Sequence, residues 1–247
     1  MKAIKRFVYR NWQRVHGVRR LELAVLLPYL DLERGQRVLD VGSGKGAFCG
    51  ALARAGHEAV GMDPSPAAVA IAKTYVDPGG LFVLASGEAA PFSGESFDRA
   101  VSVCVLEHTK DDERVLSEVR RVLKPGGLFA LTVDCLDSPH VSESFRQRHR
   151  VQFRCNQLYN ETKLKKLLAG AGFETLETRY LFSGRLSIAI LRFGSLFHYR
   201  SVFILLFPIL YPLLLLDHAI GGKRRSGMIL AARARRVERI EDRRIED

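Results

Sequence analysis

Short runs of aliphatic residues alternate along the chain with longer stretches in which apolar side chains recur every three or four positions. The short runs predict β-strands, and the longer stretches predict amphipathic helices. The predicted strands are Arg37–Val41, Ala59–Met62, Leu81–Leu84, Arg99–Val103 and Leu128–Val133. The predicted helices are Leu21–Leu32, Ala47–Ala55, Pro66–Tyr75 and Asp111–Val122. Strands and helices that alternate in this order predict an α/β fold with a parallel, doubly wound sheet.

The alternation breaks after the fifth strand. Residues 134–160 are polar and basic, so we interpret them as an insertion over the face of the sheet that carries the site. Helical spacing returns in Asn160–Ala171, and Gly172-Phe173-Glu174 opens another strand.

A glycine-rich turn follows the first predicted strand. Asp40 lies at the end of that strand, and Gly42, Gly44 and Gly46 follow it in alternate positions. Glycines allow a sharp turn and a close approach of a ligand to the main chain, and the amides that open the next helix are hydrogen-bond donors. Asp63, at the tip of the next strand, is placed to accept hydrogen bonds from a ribose diol. These residues predict a site for a cofactor that contains a nucleoside.

Asp40 bears on the kind of cofactor. The turn also fits the loose dinucleotide-binding pattern, which leaves an NAD-dependent oxidoreductase as an alternative. A pyrophosphate would meet a like charge at Asp40, whereas a cationic amino-acid group would be attracted to it.

Three later segments narrow the choice. They are Ser86–Phe92, Ser96–Val101 and Val103–His108, and a helix stopped by Pro125-Gly126-Gly127 follows them. In this order, the chain resembles the class I S-adenosylmethionine-dependent methyltransferases, in particular the branch that includes quinone and lipid methyltransferases. The resemblance covers roughly residues 35–180 and the last strand near residues 227–234. It implies a Rossmann-like, mostly parallel, seven-stranded sheet with an antiparallel last strand, and S-adenosylmethionine as cofactor.

The resemblance also implies roles for individual residues. Asp40 and the glycine turn would hold the methionine end of the cofactor, and Asp63 would hold the ribose. Met62 and Pro64 would flank the adenine. Ser86 stands where the family often has an aspartate that binds the adenine amino group, so this contact falls to Ser86, Gly87 or Glu88. The predicted cofactor-binding set is Asp40, Gly42, Ser43, Gly44, Gly46, Met62, Asp63, Pro64, Ser86, Gly87, Glu88 and Cys104.

His108 is the candidate catalytic residue. At the tip of the fourth strand, its imidazole could remove a proton from a hydroxyl acceptor near neutral pH. The alternative is that it shapes the pocket or caps the helix from Asp111. His140, His149 and Tyr159 are further candidates for substrate contact. Cys49, Cys104, Cys135 and Cys155 show no paired short spacing, so we predict neither a metal site nor disulfides.

Charge and hydropathy suggest a membrane partner. The net charge is +11, and the N-terminal segment, residues 1–34, begins as a basic amphipathic helix without acidic residues before position 22. Residues 184–222 form a hydrophobic insert before the last strand, and within it Val202–Leu216 carries no charge. That run is shorter than the ~20 residues of a spanning helix. We therefore expect peripheral or monotopic contact with an anionic membrane on its cytoplasmic face, with a homodimer interface or a lid as alternatives.

These observations predict an S-adenosylmethionine-dependent methyltransferase. Its methyltransferase core would cover residues 35–183, followed by the insert and by residues 223–247, which hold the last strand and a charged tail. The expected acceptor is small or lipophilic: a quinone precursor, a lipid or a lipid-linked glycan. The alternatives are an RNA methyltransferase and a non-catalytic binding protein with the cofactor fold. Nucleic acid is disfavoured as a partner, because residues 104–108 lack the Asn-Pro-Pro-aromatic and Pro-Cys signatures of base-modifying enzymes.

Overall fold

The computed structural model of the protein describes residues 17–75, 80–196, 209–217 and 225–238. The strands are β1 (Arg37–Val41), β2 (Glu58–Asp63), β3 (Gly80–Leu84), β4 (Phe97–Val103), β5 (Leu123–Asp134), β6 (Phe173–Leu181) and β7 (Ile229–Arg236). The helices are α1 (Gly17–Leu30), α2 (Ala47–Arg54), α3 (Pro66–Tyr75), α4 (Asp112–Val122), α5 (Glu143–Phe153), α6 (Glu161–Gly170) and α7 (Arg185–Leu196). Residues 209–217 form a further helical segment, α8.

The described strands form one seven-stranded sheet in the order β3-β2-β1-β4-β5-β7-β6. Strands β1 to β5 are parallel to one another, and β7 lies antiparallel between β5 and β6. The strand order reverses between β1 and β4, and open α/β sheets bind ligands beyond the carboxyl ends of their strands at such a point. The prediction of a mostly parallel, doubly wound sheet with an antiparallel last strand is confirmed.

The sheet separates two apolar layers. On β1, Val38 belongs to a cluster with residues of α1, α2 and α7, whereas Leu39 and Val41 belong to a second cluster with residues of α4 and α6. Successive side chains of a strand point to opposite faces, which explains this division. Full burial of each such side chain stabilises the fold by about 1.5–3 kcal/mol.

Helix α1 is part of this core. Leu21, Val25, Leu26 and Leu30 are all buried, at the spacing of one helix face. The basic residues predicted to form an earlier helix, up to position 16, lie outside the described residues.

The insertion between β5 and β6 contains helix α5. Ser142 caps its N-terminus, because the Ser142 hydroxyl accepts a hydrogen bond from the Phe145 amide at 3.3 Å. The helix ends at Arg154, whose backbone is left-handed with φ 56°. This left-handed residue turns the chain so that Cys155 comes back towards the end of β5, where its thiol contacts Asp134.

The hydrophobic insert between β6 and β7 is anchored to the core. Leu214 of α8 is completely buried, and the Asp217 carboxylate accepts a hydrogen bond from the Ser187 amide at 3.0 Å. Other apolar side chains of α7 and α8 remain exposed: Leu186, Phe193, Ile209, Leu213, Leu215 and Leu216. No helix in the described ranges is both long and apolar enough to cross a membrane. Residues 202–208 of the predicted apolar run lie outside those ranges.

Candidate active site

The glycine turn joins β1 to α2 beyond the carboxyl edge of the sheet. Gly42 has φ 69°, and a Cβ at this position would lie 2.4 Å from Cγ2 of Val105, which follows β4. Gly44 has φ 53°, but a Cβ there would meet no atom within 4 Å. Gly42 therefore allows the turn to pack against the β4 loop, while Gly44 faces open space in which a ligand can approach the backbone.

Asp63 holds the glycine turn against β2. One carboxylate oxygen of Asp63 accepts a hydrogen bond from the Gly44 amide at 2.8 Å, and the other accepts from the Ser65 amide at 2.9 Å. The Ser43 amide donates to the Met62 carbonyl at 2.9 Å. Each carboxylate oxygen can accept more than one hydrogen bond, so Asp63 keeps the capacity to bind a diol.

Asp40 is buried beneath the turn, with 2% of its surface exposed. Its carboxylate accepts a hydrogen bond from the Cys49 amide at 3.1 Å. Burial raises the pKa of Asp40 to about 7, because desolvation outweighs the amide hydrogen bond and the attraction of Arg19. A carboxyl group held in this way would gain from a cationic partner such as an amino-acid ammonium group.

The loop after β3 carries the residues predicted to reach the adenine. Gly87 lies against Val115 and Val41, so this part of the loop packs on α4 and β1. The Glu88 carboxylate accepts hydrogen bonds from the amides of Lys110 and Asp111 at 3.3 and 3.4 Å. The loop is therefore fixed to the segment that precedes α4.

The remaining adenine candidates differ in exposure. Ser86 is exposed, and its hydroxyl accepts from the Glu88 amide at 3.2 Å. Pro64 is exposed as well, whereas the Met62 side chain lies in the core with 1% of its surface exposed. Of the two residues expected to flank the adenine, only Pro64 presents its side chain at the surface.

A cavity of about 220 Å³ opens beyond the ends of β4 and β5. One part of its wall is polar or reactive: Arg19, Glu22, Cys104, His108, Asp134 and His149. The rest is apolar: Leu136, Phe153, Leu191, Met228 and Ile229. A molecule with one polar end and an apolar body would match this lining.

Cys104 connects the cavity to helix α1. Its backbone is left-handed with φ 52°, and its thiol donates to the carboxylate of Glu22 at 3.1 Å. The same carboxylate oxygen accepts from the Thr132 hydroxyl at 3.1 Å. Burial, assisted by the Glu22 and Glu107 carboxylates, raises the pKa of the Cys104 thiol well above its usual value. Cys104 is therefore a protonated hydrogen-bond donor rather than a thiolate.

A second polar group lies at the end of β5. The Asp134 carboxylate contacts His149 Nε2 at 2.7 Å and Cys155 Sγ at 3.7 Å. Glu107 is fully buried beside them, and its carboxylate accepts from the Asp134 amide at 3.1 Å. Burial, with the nearby charge of Asp134 as the next contribution, raises the pKa of Glu107 to about 8.

The predicted substrate contacts divide between this cavity and other places. His108 lines the cavity, is exposed, and has Nδ1 3.4 Å from the Arg154 carbonyl. His149 also lines the cavity. Tyr159 is buried, and its hydroxyl donates to the Asp112 carboxylate at 2.7 Å. His140 lines a different depression, where its Nε2 atom lies 3.4 Å from Arg185 Nε. The cap of α4 is Asp111, whose carboxylate accepts from the Arg114 amide, so His108 does not have that role.

Three charged cavity residues are absent from the predicted set of site residues: Arg19, Glu22 and Asp134. Glu22 carried a signal, because it is a lone acidic residue within the apolar stretch Leu21–Leu30. Asp134 ends a buried strand, as Asp63 does, and that position could have drawn attention to it.

A parallel sheet with a glycine turn after β1 and an acidic residue at the end of β2 defines an α/β domain that binds a nucleoside-containing cofactor. Residues 39–131 match the family described as "Methyltransferase domain". Residues 39–131 thus carry a methyltransferase domain, and the predictions of the class I S-adenosylmethionine-dependent class and of its cofactor are confirmed for this domain. The glycine turn, Asp40 and Asp63 fit that cofactor.

Two sequence relatives and one solved structure show how far the similarity extends. An "uncharacterized methyltransferase" of Mycobacterium sp. (strain JLS) is 44% identical over 98 residues, which are 40% of this chain and 38% of that protein. A "ubiquinone biosynthesis O-methyltransferase" of Cereibacter sphaeroides is 36% identical over 111 residues, 44% of this chain and 43% of that protein. The phosphoethanolamine N-methyltransferase 2 of Haemonchus contortus, solved with S-adenosyl-L-methionine, has a TM-score of 0.67 at 23% identity and covers 89% of this chain and 53% of its own.

The similarity is strongest in the cofactor half of the fold. The family match ends at Leu131, before α5, α7 and β7, which contribute to the cavity wall. The chain spans about two fifths of the length of the sequence relatives given above. The solved neighbour, at 23% identity, shows the shared fold.

Proposed function

We propose that the protein transfers a methyl group from S-adenosylmethionine to an oxygen or carbon atom of a small lipophilic acceptor. The observation that carries this proposal is the divided lining of the cavity at the ends of β4 and β5, polar around His108 and Asp134 and apolar around Leu191 and Met228. The Cereibacter sphaeroides relative, whose name assigns it to ubiquinone biosynthesis as an O-methyltransferase, is consistent with such an acceptor.

In this proposal the cofactor-binding residues act as predicted. Asp40 faces the ammonium group, the amides of the glycine turn hold the methionine end together with Ser43, and Asp63 binds the ribose diol. Ser86, Gly87 and Glu88 border the adenine beside Pro64, while Cys104 lies at the boundary with the cavity. These positions follow the carboxyl edge of the sheet from β3 to β4, as one extended ligand would require.

The bound cofactor supplies an electrophilic methyl group, and the protein supplies alignment. Methyl transfer is an in-line displacement. A cavity that holds the acceptor beside Cys104, at the boundary with the cofactor site, therefore increases the rate by proximity. A hydroxyl acceptor must also lose a proton. We propose that His108 removes this proton, because its imidazole lines the cavity. Its Nδ1 atom faces the Arg154 carbonyl, which leaves Nε2 to accept the proton.

A lipophilic acceptor is consistent with an insert that faces a membrane. Phe193 of α7 and Ile209, Leu215 and Leu216 of α8 expose 39%, 67%, 40% and 56% of their surface. Leu191 lies on α7 and also lines the cavity, so the exposed apolar surface and the acceptor cavity share a helix. We propose that α7 and α8 rest on an anionic lipid surface, from which the acceptor reaches the cavity.

Vesicle co-sedimentation tests the membrane contact. Binding to vesicles with anionic lipid should persist at high salt, because apolar burial adds to the charge attraction. A variant with Ile209→Ser and Leu216→Ser should bind less, whereas Leu81→Ser, an exposed apolar residue on the edge strand β3, should bind as the wild type does. A wild-type protein that stays in the supernatant and forms a stable dimer would show that this surface is a protein interface.

The activity can be tested with labelled S-adenosylmethionine and a membrane-lipid extract, with total RNA as the parallel substrate. We expect label in the lipid fraction. Met228→Trp should abolish labelling while cofactor binding persists, because Met228 lines the cavity and lies outside the glycine turn. Label in RNA alone would favour the RNA methyltransferase alternative, and cofactor binding without transfer to either fraction would contradict the proposal.

A further inference from the structure

The polar group at the end of β5 contains three side chains that can bind a metal ion. Asp134, His149 and Cys155 each offer one ligand atom, and these atoms all lie within 4.8 Å of one another. They come from different elements: Asp134 ends β5, His149 lies on α5, and Cys155 follows the left-handed residue that ends α5. All three are buried or nearly so, with His149 at 9% and Cys155 at 6% exposure.

The carboxylate of Glu107 independently points to a cation at this position. Its Oε2 atom is buried and has no hydrogen-bond partner among the described residues, although Oε1 accepts from the Asp134 amide. The Glu107 and Asp134 carboxylates also approach within 4.8 Å of each other. Two adjacent buried carboxylates are unfavourable unless a proton or a cation compensates them.

We propose that Asp134, His149 and Cys155 bind a divalent metal ion of the zinc type, with Glu107 as the neighbouring carboxylate. A donor set of thiolate, imidazole and carboxylate is typical of zinc and unlike the all-oxygen sites of magnesium or calcium. The cysteine spacing alone predicted no such site, because only one cysteine takes part and the other donors come from distant positions in the sequence.

The observed distances are close to those that a metal requires. Bonds of ordinary length in a tetrahedral zinc site place an imidazole nitrogen about 3.4 Å, and a thiolate sulfur about 3.6 Å, from a carboxylate oxygen. The corresponding distances here are 2.7 Å from His149 Nε2 and 3.7 Å from Cys155 Sγ. Binding therefore requires the His149–Asp134 hydrogen bond to open by less than one ångström, a change that a side-chain rotation can provide.

The site also has an accessible side. Asp134 and His149 line the cavity, whereas Cys155 is not among its lining residues. A zinc site with three protein ligands keeps a fourth position for water or substrate. If the cavity holds the acceptor, as proposed above, the fourth position faces it.

Cobalt(II) titration of the full chain, treated first with a chelator, tests the site without any measurement of activity. We expect one equivalent of Co²⁺ to bind with a thiolate charge-transfer band in the near ultraviolet, and Zn²⁺ to displace it. Cys155→Ser should abolish the band and weaken Zn²⁺ binding by about 100-fold or more, since even an outer partner of a metal ligand is worth 10–100-fold. Cys135→Ser is the matched control, because Cys135 is equally buried but its thiol contacts the Gly227 carbonyl.

Binding of S-adenosylmethionine, measured in parallel, reports whether each variant is folded. If Cys155→Ser does not fold, His149→Gln replaces it, and this variant should keep the thiolate band but bind Co²⁺ at least about tenfold more weakly. A folded wild-type protein without a cobalt band would overturn the proposal, as would a Cys155→Ser variant with an unchanged band. Metal binding and methyl transfer are separate measurements, so either proposal can fail while the other stands.

Discussion

The carboxylate of Asp63 offers the sharpest test of the cofactor site, because the structure gives it two functions. It accepts hydrogen bonds from the amides of Gly44 and Ser65 within the protein, and we assign it the ribose diol of the cofactor. Asp63→Ala removes all these interactions. Asp63→Asn keeps one carbonyl oxygen and loses the charge, so it should fall between the alanine variant and the wild type.

The expected magnitudes follow from the number of hydrogen bonds. A hydrogen bond to a charged group contributes about 1.5–3 kcal/mol, but Asp63 is only half-buried and water can replace part of each one. We therefore expect Asp63→Ala to lower the free energy of unfolding of the cofactor-free protein by about 2 kcal/mol. The lost diol contact should weaken S-adenosylmethionine binding by a further ~1.5–3 kcal/mol, or about 10- to 150-fold in Kd.

Urea denaturation without cofactor measures the first effect, and calorimetric titration of the folded protein measures the second. Asp98→Ala is a suitable control, because Asp98 accepts from the Arg37 amide at 2.9 Å and pairs with Lys124 near the amino end of β4, at the opposite edge of the sheet. It should lose stability but not cofactor affinity. Wild-type affinity in a folded Asp63→Ala variant would refute the assignment of the ribose to Asp63. An unchanged denaturation midpoint would show that Asp63 does not stabilise the glycine turn.

Four further outcomes are expected. Cofactor affinity should fall by up to about tenfold per pH unit below pH 7, because Asp40 then binds a proton and loses its attraction for the ammonium group; Asp40→Asn should remove that dependence. With this raised pKa, the buried Asp40 carboxyl group is neutral in the folded protein at pH 5 and charged at pH 8. The cofactor-free protein should therefore be more stable at pH 5 than at pH 8. Gly42→Ala should destabilise the protein more than Gly56→Ala in denaturation, since both residues have positive φ but only Gly42 would place a Cβ against Val105. His108→Ala should reduce turnover by ~10²–10⁴-fold with unchanged cofactor affinity, and near-normal turnover would exclude His108 as the base.

The sequence was sufficient for the cofactor half of the fold because its signals are local. The strands of the parallel half could be located from apolar runs, and the glycine turn follows β1 directly. The cavity was less accessible to sequence reasoning. Glu22 and Cys104 are distant in the chain and meet only because α1 packs on the sheet beside the end of β4.

Exposure was equally hard to predict. Met62 stands next to Asp63, yet the alternation of the strand turns its side chain into the core. Tyr159 belongs to the polar insertion, but its hydroxyl serves Asp112 rather than the cavity. The outcome for Tyr159 depends on how the insertion between β5 and β6 folds back, which no local pattern specifies.

The place of β7 in the sheet has a consequence for the order of folding. This strand lies between β5 and β6, although both of them precede it in the chain and the hydrophobic insert comes before it. During synthesis, β1 to β5 can pair as soon as they leave the ribosome, while β5 and β6 keep unpaired edges until residues 229–236 arrive. Met228 and Ile229, which complete the cavity wall, arrive with them. The nascent chain should thus acquire its cofactor crevice early and its acceptor cavity last, with exposed strand edges and apolar surface in the interval, when aggregation is the main hazard.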